Sequence, residues 1–146
     1  DMAQKTMQVS IVSHEGEIYN GKATMFYAKG ADGDIGIAPG HLQLLTSIAP
    51  GAVRVEKLDG EEELLYVSGG ILEVQPSQVT ILADQIERPV DVNETLAKKA
   101  KEEAEKMLAA RKAGSDEYRE AQVDLAEAMA KLRVLEIVRL RKGRTH

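Results

Sequence analysis

Three histidines, His14, His41 and His146, are the side chains in this sequence best suited to act as a base at neutral pH. His146 is terminal, and His14 precedes Glu15-Gly16 in an expected loop. His41 follows Pro39-Gly40 and would need a nucleophile, for which Ser68 is the candidate that folding could bring near it. No Gly-x-Ser-x-Gly elbow surrounds Ser68. Val67-Ser68-Gly69-Gly70 reads instead as a strand end with a bulge or close sheet contact, where glycine admits a neighbouring backbone. Metal chemistry has no better footing. The Cys count is 0, no His-x-x-x-His pair exists, and Asp32-Gly33-Asp34 is too short for a calcium loop and reads as a solvated turn. Gly33, Gly36 and Gly40 fit neither the Walker spacing nor the dinucleotide fingerprint. No catalytic residue, metal ligand or cofactor is assigned.

Composition points the same way. At 43% apolar and 29% charged the chain can bury a core, but with 3% aromatic residues and Phe26 as the single Phe that core is aliphatic, and stacking platforms for nucleic acid are missing. No apolar run approaches ~18 residues, so no bilayer span is expected. The N-terminus lacks the apolar stretch of a secretory signal, and Asp1 ahead of Met2 reads as a cloning remnant. The net charge of -5 is unevenly spread: residues 1–87 hold five basic and 13 acidic side chains, and residues 88–146 hold 14 basic and 11 acidic. Over residues 131–146 six cations face only Glu136. An acidic body carries a basic end.

The elements that would position these groups change type near Pro89, the last proline. Before it, Met7, Val9 and Ile11 alternate with polar residues as in a half-buried antiparallel strand. Asp59-Gly60 between Val53/Val55 and Leu65/Val67 predicts a hairpin with a type I′ turn, and Pro76-Ser77 predicts another. Glu61-Glu62-Glu63 reads as a solvated hairpin edge. Eight to ten such strands predict a two-sheet sandwich or flattened barrel over residues 5–87. A helical hairpin is expected over 88–142, with 143–146 as a flexible tail. Asp91 with Glu94 suggests a capping box opening a helix from about Asn93 to Lys112. Its inner face would be Ala97, Ala100, Ala104 and Met107. Gly114 ends it, Ser115 caps the next helix, and Tyr118, Ala121, Leu125, Ala128, Leu132 and Leu135 form one seam. A buried Leu contributes roughly 1.5 to 3 kcal/mol and an Ala far less, so an Ala-rich hairpin is marginally held.

Three collinear segments carry a resemblance. Gly33 to His41, Tyr66 to Pro76 continuing through Val79 to Asp84, and Leu132 to Glu136 resemble the epsilon-subunit family of bacterial F-type ATP synthases. The resemblance implies a β-sandwich of about ten strands followed by a two-helix C-terminal hairpin. It further implies a non-catalytic rotor subunit of a proton-translocating synthase, linking the gamma stalk to the c-ring. The subunit would be peripheral on the cytoplasmic face of the bacterial inner membrane. By position, Asp32, Gly33 and Asp34, with Gly40 and His41, match the family's c-ring and gamma interface. Arg133, Arg139, Arg141 and Lys142 match the region that meets the catalytic beta and alpha subunits when the helices extend and restrain hydrolysis. Family members that bind ATP carry an Ile/Leu-Asp-x-x-Arg-Ala motif. Here Asn93 and Leu96 replace the Asp and the Arg, which removes a phosphate-pairing charge and puts ATP sensing in doubt. Two other classes remain open on the residues alone: a stand-alone β-sandwich adaptor for a soluble protein, and a small hydrolase using His41 and Ser68.

Overall fold

The computed structural model describes residues 5–144. Its strands are β1 (Met7–Ser13), β2 (Gly16–Gly30), β3 (Gly33–Ile37), β4 (Leu44–Ile48), β5 (Gly51–Lys57), β6 (Glu62–Val67), β7 (Gly70–Gln75), β8 (Gln78–Ala83) and β9 (Ile86–Glu87). A 3₁₀ turn at Pro89–Asp91 leads to α1 (Glu94–Ala110) and α2 (Asp116–Arg144). The expected β-sandwich followed by a two-helix hairpin is what forms, with nine strands among the described residues. Gly143 and Arg144 of the expected tail continue α2, and residues 145–146, with His146, lie outside the described residues.

The 15-residue β2 organises the sandwich. Its first half pairs with β1; the register then shifts between Ala23 and Met25, and its second half pairs with β5 and β3. One wall is thus β4-β7-β8-β1 with the start of β2, and the other is β3-β2-β5-β6-β9. Strand β1 is antiparallel to β2, as its alternation suggests, but runs parallel to β8 on its other edge. Between the walls lies the aliphatic core, in which Val9, Ile11, Phe26, Ile37, Val55, Val67, Leu72, Val79 and Ile81 are fully enclosed. Every buried residue of this core belongs to a strand of the sandwich.

The β5–β6 hairpin exists, but its turn is not type I′. No non-glycine residue among the described residues has positive φ, so Asp59 cannot occupy that turn's central position. The loop instead closes with the Gly60 amide donating to Lys57 O at 3.1 Å, the Lys57 amide donating to Glu61 O at 2.8 Å, and Gly60 alone at φ 86°. That is a three-residue loop with the glycine in the left-handed region, which only its lack of Cβ makes cheap. At Gly70 the close sheet contact is real: φ is 149°, and a Cβ there would lie 2.1 Å from Leu82 O.

Strand β6 departs most from the sequence reading. Leu64, Leu65, Tyr66 and Val67 are all buried, because the core covers one face and α2 covers the other. The second cluster joins Leu64 and Tyr66 to Val92, Ala130 and Val134, with Ile137 and Val138 packed beside it. Tyr66 is fully enclosed and its hydroxyl has no hydrogen-bond partner, a cost that ring burial must offset. Burial, with Glu127 and Glu87 nearby, pushes its ionisation well above the ordinary tyrosine range. Tyr66→Phe is therefore expected to change unfolding free energy by no more than about 1 kcal/mol, or to raise it. Urea titration measures this, and a loss above about 2 kcal/mol would assign the hydroxyl a partner.

Candidate functional site

Local chemistry sets where α1 and α2 begin. Asp91 is not the cap: Pro89 starts a short 3₁₀ turn through Asp91, and Val92 is extended before the helix opens. Asn93 is the cap, its Oδ1 accepting from the Leu96 amide at 3.0 Å. With the cap moved two residues on, Glu94 becomes the first helical residue and its carboxylate is available for side-chain partners. Helix α1 ends at Ala110, two residues before the expected Lys112. Gly114, at φ 86°, turns the chain, and Ser115 Oγ accepts from the Tyr118 amide at 3.2 Å.

The interhelical seam is built on small residues: Ala97, Ala104, Ala121 and Ala128 are buried in it. Ala100, expected inside, is exposed and lines a groove of 760 Å³ between the helices. Glu87, Glu103, Glu117, Glu120, Asp124 and Glu127 also line that groove, against the single cation Lys131. Burial, and then Asp124, push the Glu127 carboxyl above its ordinary range. Ionisation of Glu127 therefore weakens the packed state: the cost is absent below the ordinary carboxylate range and complete above the raised value.

A second stripe on α2 faces the sandwich. Ala130, Val134, Ile137 and Val138 pack on Leu64, Tyr66 and Ala52. Charge pairs surround this apolar contact. Lys131 Nζ lies 3.2 Å from Glu87 and 5.3 Å from the Tyr66 ring centre. The Arg139 guanidinium bonds the Glu94 carboxylate. That bond, with a smaller contribution from Lys98, holds the Glu94 carboxyl below its ordinary range, so the pair persists at neutral pH and is lost as pH falls through the lowered value. Arg141 pairs with Glu62, which also accepts from Arg54 at 3.0 Å.

The expected site residues distribute unevenly over this frame. Of the cations matched to the catalytic head, Arg139 and Arg141 are engaged within the chain, Arg133 bonds Glu136 at 2.6 Å on the same helix, and Lys142 is exposed on the last turn. Asp32, Gly33 and Asp34 are exposed at the β2–β3 turn. Asp34 also borders a cleft between the second wall and α2. Gly40 and His41 lie beyond the opposite end of β3, where the Gly40 amide donates to Pro76 O in the β7–β8 turn. Ile35 to Pro39 separate the two groups, and the three of them in β3 carry the chain about 10 Å from Asp34 to Ile37. His41 and Ser68 are likewise not brought together. His41 Nδ1 contacts Leu42 O, while Ser68 sits past the far end of β4 and its Oγ accepts from the Gln85 amide. The hydrolase reading loses its dyad.

Sequence reasoning missed Glu62, Glu87 and Glu94 as docking groups. Glu62 and Glu63 are not a solvated edge: they are half-buried and paired with Arg54, Arg141, Lys57 and Arg88. The signal was the unbroken apolar run Leu64 to Val67, which marks a strand covered on both faces. Missed as well was an apolar strip on the uncovered outer face of the first wall, where Val12, Leu82 and Ile71 are cross-strand neighbours and Leu45 follows. Leu82 and Ile71 are half exposed and Leu45 is 71% exposed.

Known proteins share both the sequence and this arrangement. The family model of the ATP synthase delta/epsilon chain β-sandwich domain matches residues 6–89, and that of its long α-helix domain matches 91–136. The chain belongs to the ATP synthase delta/epsilon family. An ATP synthase epsilon chain from Alkalilimnicola ehrlichii is 52% identical over 139 residues, covering 95% of this chain and 99% of that one. Two solved structures share the fold. A chain in the Euglena gracilis mitochondrial ATP synthase (OSCP/F1/c-ring) matches with TM-score 0.68 and 17% identity, over 100% of this chain and 84% of that one. One in the Tetrahymena thermophila mitochondrial ATP synthase central stalk and c-ring matches with TM-score 0.59 and 12% identity, over 92% and 99%. The two delta/epsilon family models meet at Val90, which is exposed in the 3₁₀ turn between β9 and α1.

The acidic groove between the helices bears on the expectation about ATP drawn from Asn93 and Leu96. Leu96 offers no cation, and carboxylates line the space between the helices. The isolated chain is expected to bind ATP with a Kd on the order of millimolar or weaker. Calorimetry decides this, and a micromolar isotherm would refute it.

Proposed function

We propose that the chain is a rotor subunit of a bacterial ATP synthase, without an active site of its own. Its sandwich joins the gamma stalk to the c-ring, and its helical hairpin restrains ATP hydrolysis when it leaves the sandwich for the catalytic beta and alpha subunits. The complex holds the chain at the cytoplasmic face of the inner membrane; no helix among the described residues is long and apolar enough to cross it. One observation carries this reading: the sandwich encloses its own core, whereas the hairpin rests on one wall through a small apolar cluster and exposed or half-exposed ion pairs. An element held so lightly is one that a partner can move. The 52% identity to a named epsilon chain supports the same assignment. On the first wall, the strip of Leu45, Ile71 and Leu82 suits a central-stalk partner better than it suits water.

Removing residues 88–146 is expected to leave a soluble sandwich that still assembles and to raise ATP hydrolysis by the complex. Unchanged hydrolysis in an assembled complex would end the brake reading. The split between the two ends of β3 sharpens the c-ring assignment. A cysteine at Asp32 is expected to cross-link to one in the c-subunit loop, and a cysteine at His41, at the other end, is not. The reverse pattern moves the contact to the Gly40-His41 end, and the absence of both removes it.

A further inference from the structure

Two cations near the end of α2, Arg139 and Arg141, are held in the docked hairpin by carboxylates outside α2. Arg141 is held by Glu62 on β6, and Arg139 by Glu94 at the start of α1. Glu62 is shared, because Arg54 on β5 reaches its other oxygen at 3.0 Å while lying 4.3 Å from the Tyr27 ring centre. Two guanidiniums therefore divide one carboxylate, half-buried beneath the end of α2. From this geometry we infer that Glu62 and Glu94 are a carboxylate latch that holds the basic end of α2 against β6 and against the start of α1, and that Arg54 weakens the latch by sharing the charge of Glu62 with Arg141.

The physics is an exchange. An acidic partner gains Arg139 and Arg141 only by displacing Glu94 and Glu62, so the position of the hairpin depends on the difference between two sets of charge pairs. Neutralising an internal acid leaves the α2 cations intact for the partner while removing the hold of the docked state. Removing Arg54 does the opposite, since it leaves the charge of Glu62 to Arg141 alone and relieves repulsion between the two guanidiniums. Burial first, and the Arg54 charge second, depress the ionisation of Arg141.

The test uses the full chain, alone and in the assembled complex, with spin labels on cysteines at Glu73 of β7 and Glu120 of α2, both exposed. Glu62→Gln with Glu94→Gln is expected to raise the long-distance, undocked population about two- to tenfold over the parent chain, with a smaller difference at high salt. Arg54→Gln is expected to lower that population. Opposite shifts from two changes at one cluster separate a latch from general loss of folding. Circular dichroism of each variant checks that strands and helices persist. In the complex, the double Gln variant is expected to hydrolyse ATP more slowly than the parent and Arg54→Gln faster. Unchanged distance populations in both variants, or shifts of the same sign, would overturn the latch. This proposal rests on the brake reading only for the hydrolysis readout: shifted distances with unaltered hydrolysis uphold the latch and overturn the brake.

Discussion

Val134 on Tyr66 is the contact that makes one object out of two. The sandwich encloses Phe26, Ile37, Val55 and Leu72 without reference to the helices, and the helices meet each other through alanines. Between these units the apolar surface is Leu64, Tyr66, Val92, Ala130 and Val134, with Ala52, Leu135, Ile137 and Val138 packed beside them. A contact of that size cannot dominate the charge pairs around it in the way the main core dominates its own surface. Exposed pairs of this kind each contribute about 0.2 to 1 kcal/mol, comparable to what one small buried side chain adds. Docking thus rests on a few buried side chains, and the charge pairs around them are smaller contributions that can shift its balance.

Legibility in the sequence followed the range of the interaction. Alternation showed the strands, and the last proline, Pro89, showed where they stop, because period and backbone freedom are local properties. Turn type at Asp59-Gly60 was misjudged because one residue more in the loop moves the positive φ onto Gly60 alone. The cap was misplaced from Asn93 to Asp91 because both can accept from a first-turn amide, and only the 3₁₀ turn after Pro89 decides between them. The docking face escaped for a stronger reason. One helical seam was read on α2 where there are two, since Ala130, Val134 and Val138 bury against a strand far away in the chain. A single-helix period carries no information about a second contact surface. The pairing of Glu62 with Arg141 spans even more of the sequence, and nothing local marks it.

Charge along α2 gives this helix a property that docking does not supply. Its first turns carry Asp116, Glu117, Glu120 and Asp124, near the positive end of the helix dipole, and its last turns carry Arg139, Arg141 and Lys142, near the negative end. Internal pairs, Arg119 with Asp116 and Arg133 with Glu136, add support at three-residue spacing. At 29 residues the helix is about 43 Å long, beyond the length at which isolated helices become marginal. None of these contributions needs the sandwich. An undocked α2 can thus remain a rod, which is the form able to reach a distant acidic surface with its basic end leading. The sequence order of acids then bases does two things at once: it stabilises the helix in water, and it fixes which end an acidic partner can hold.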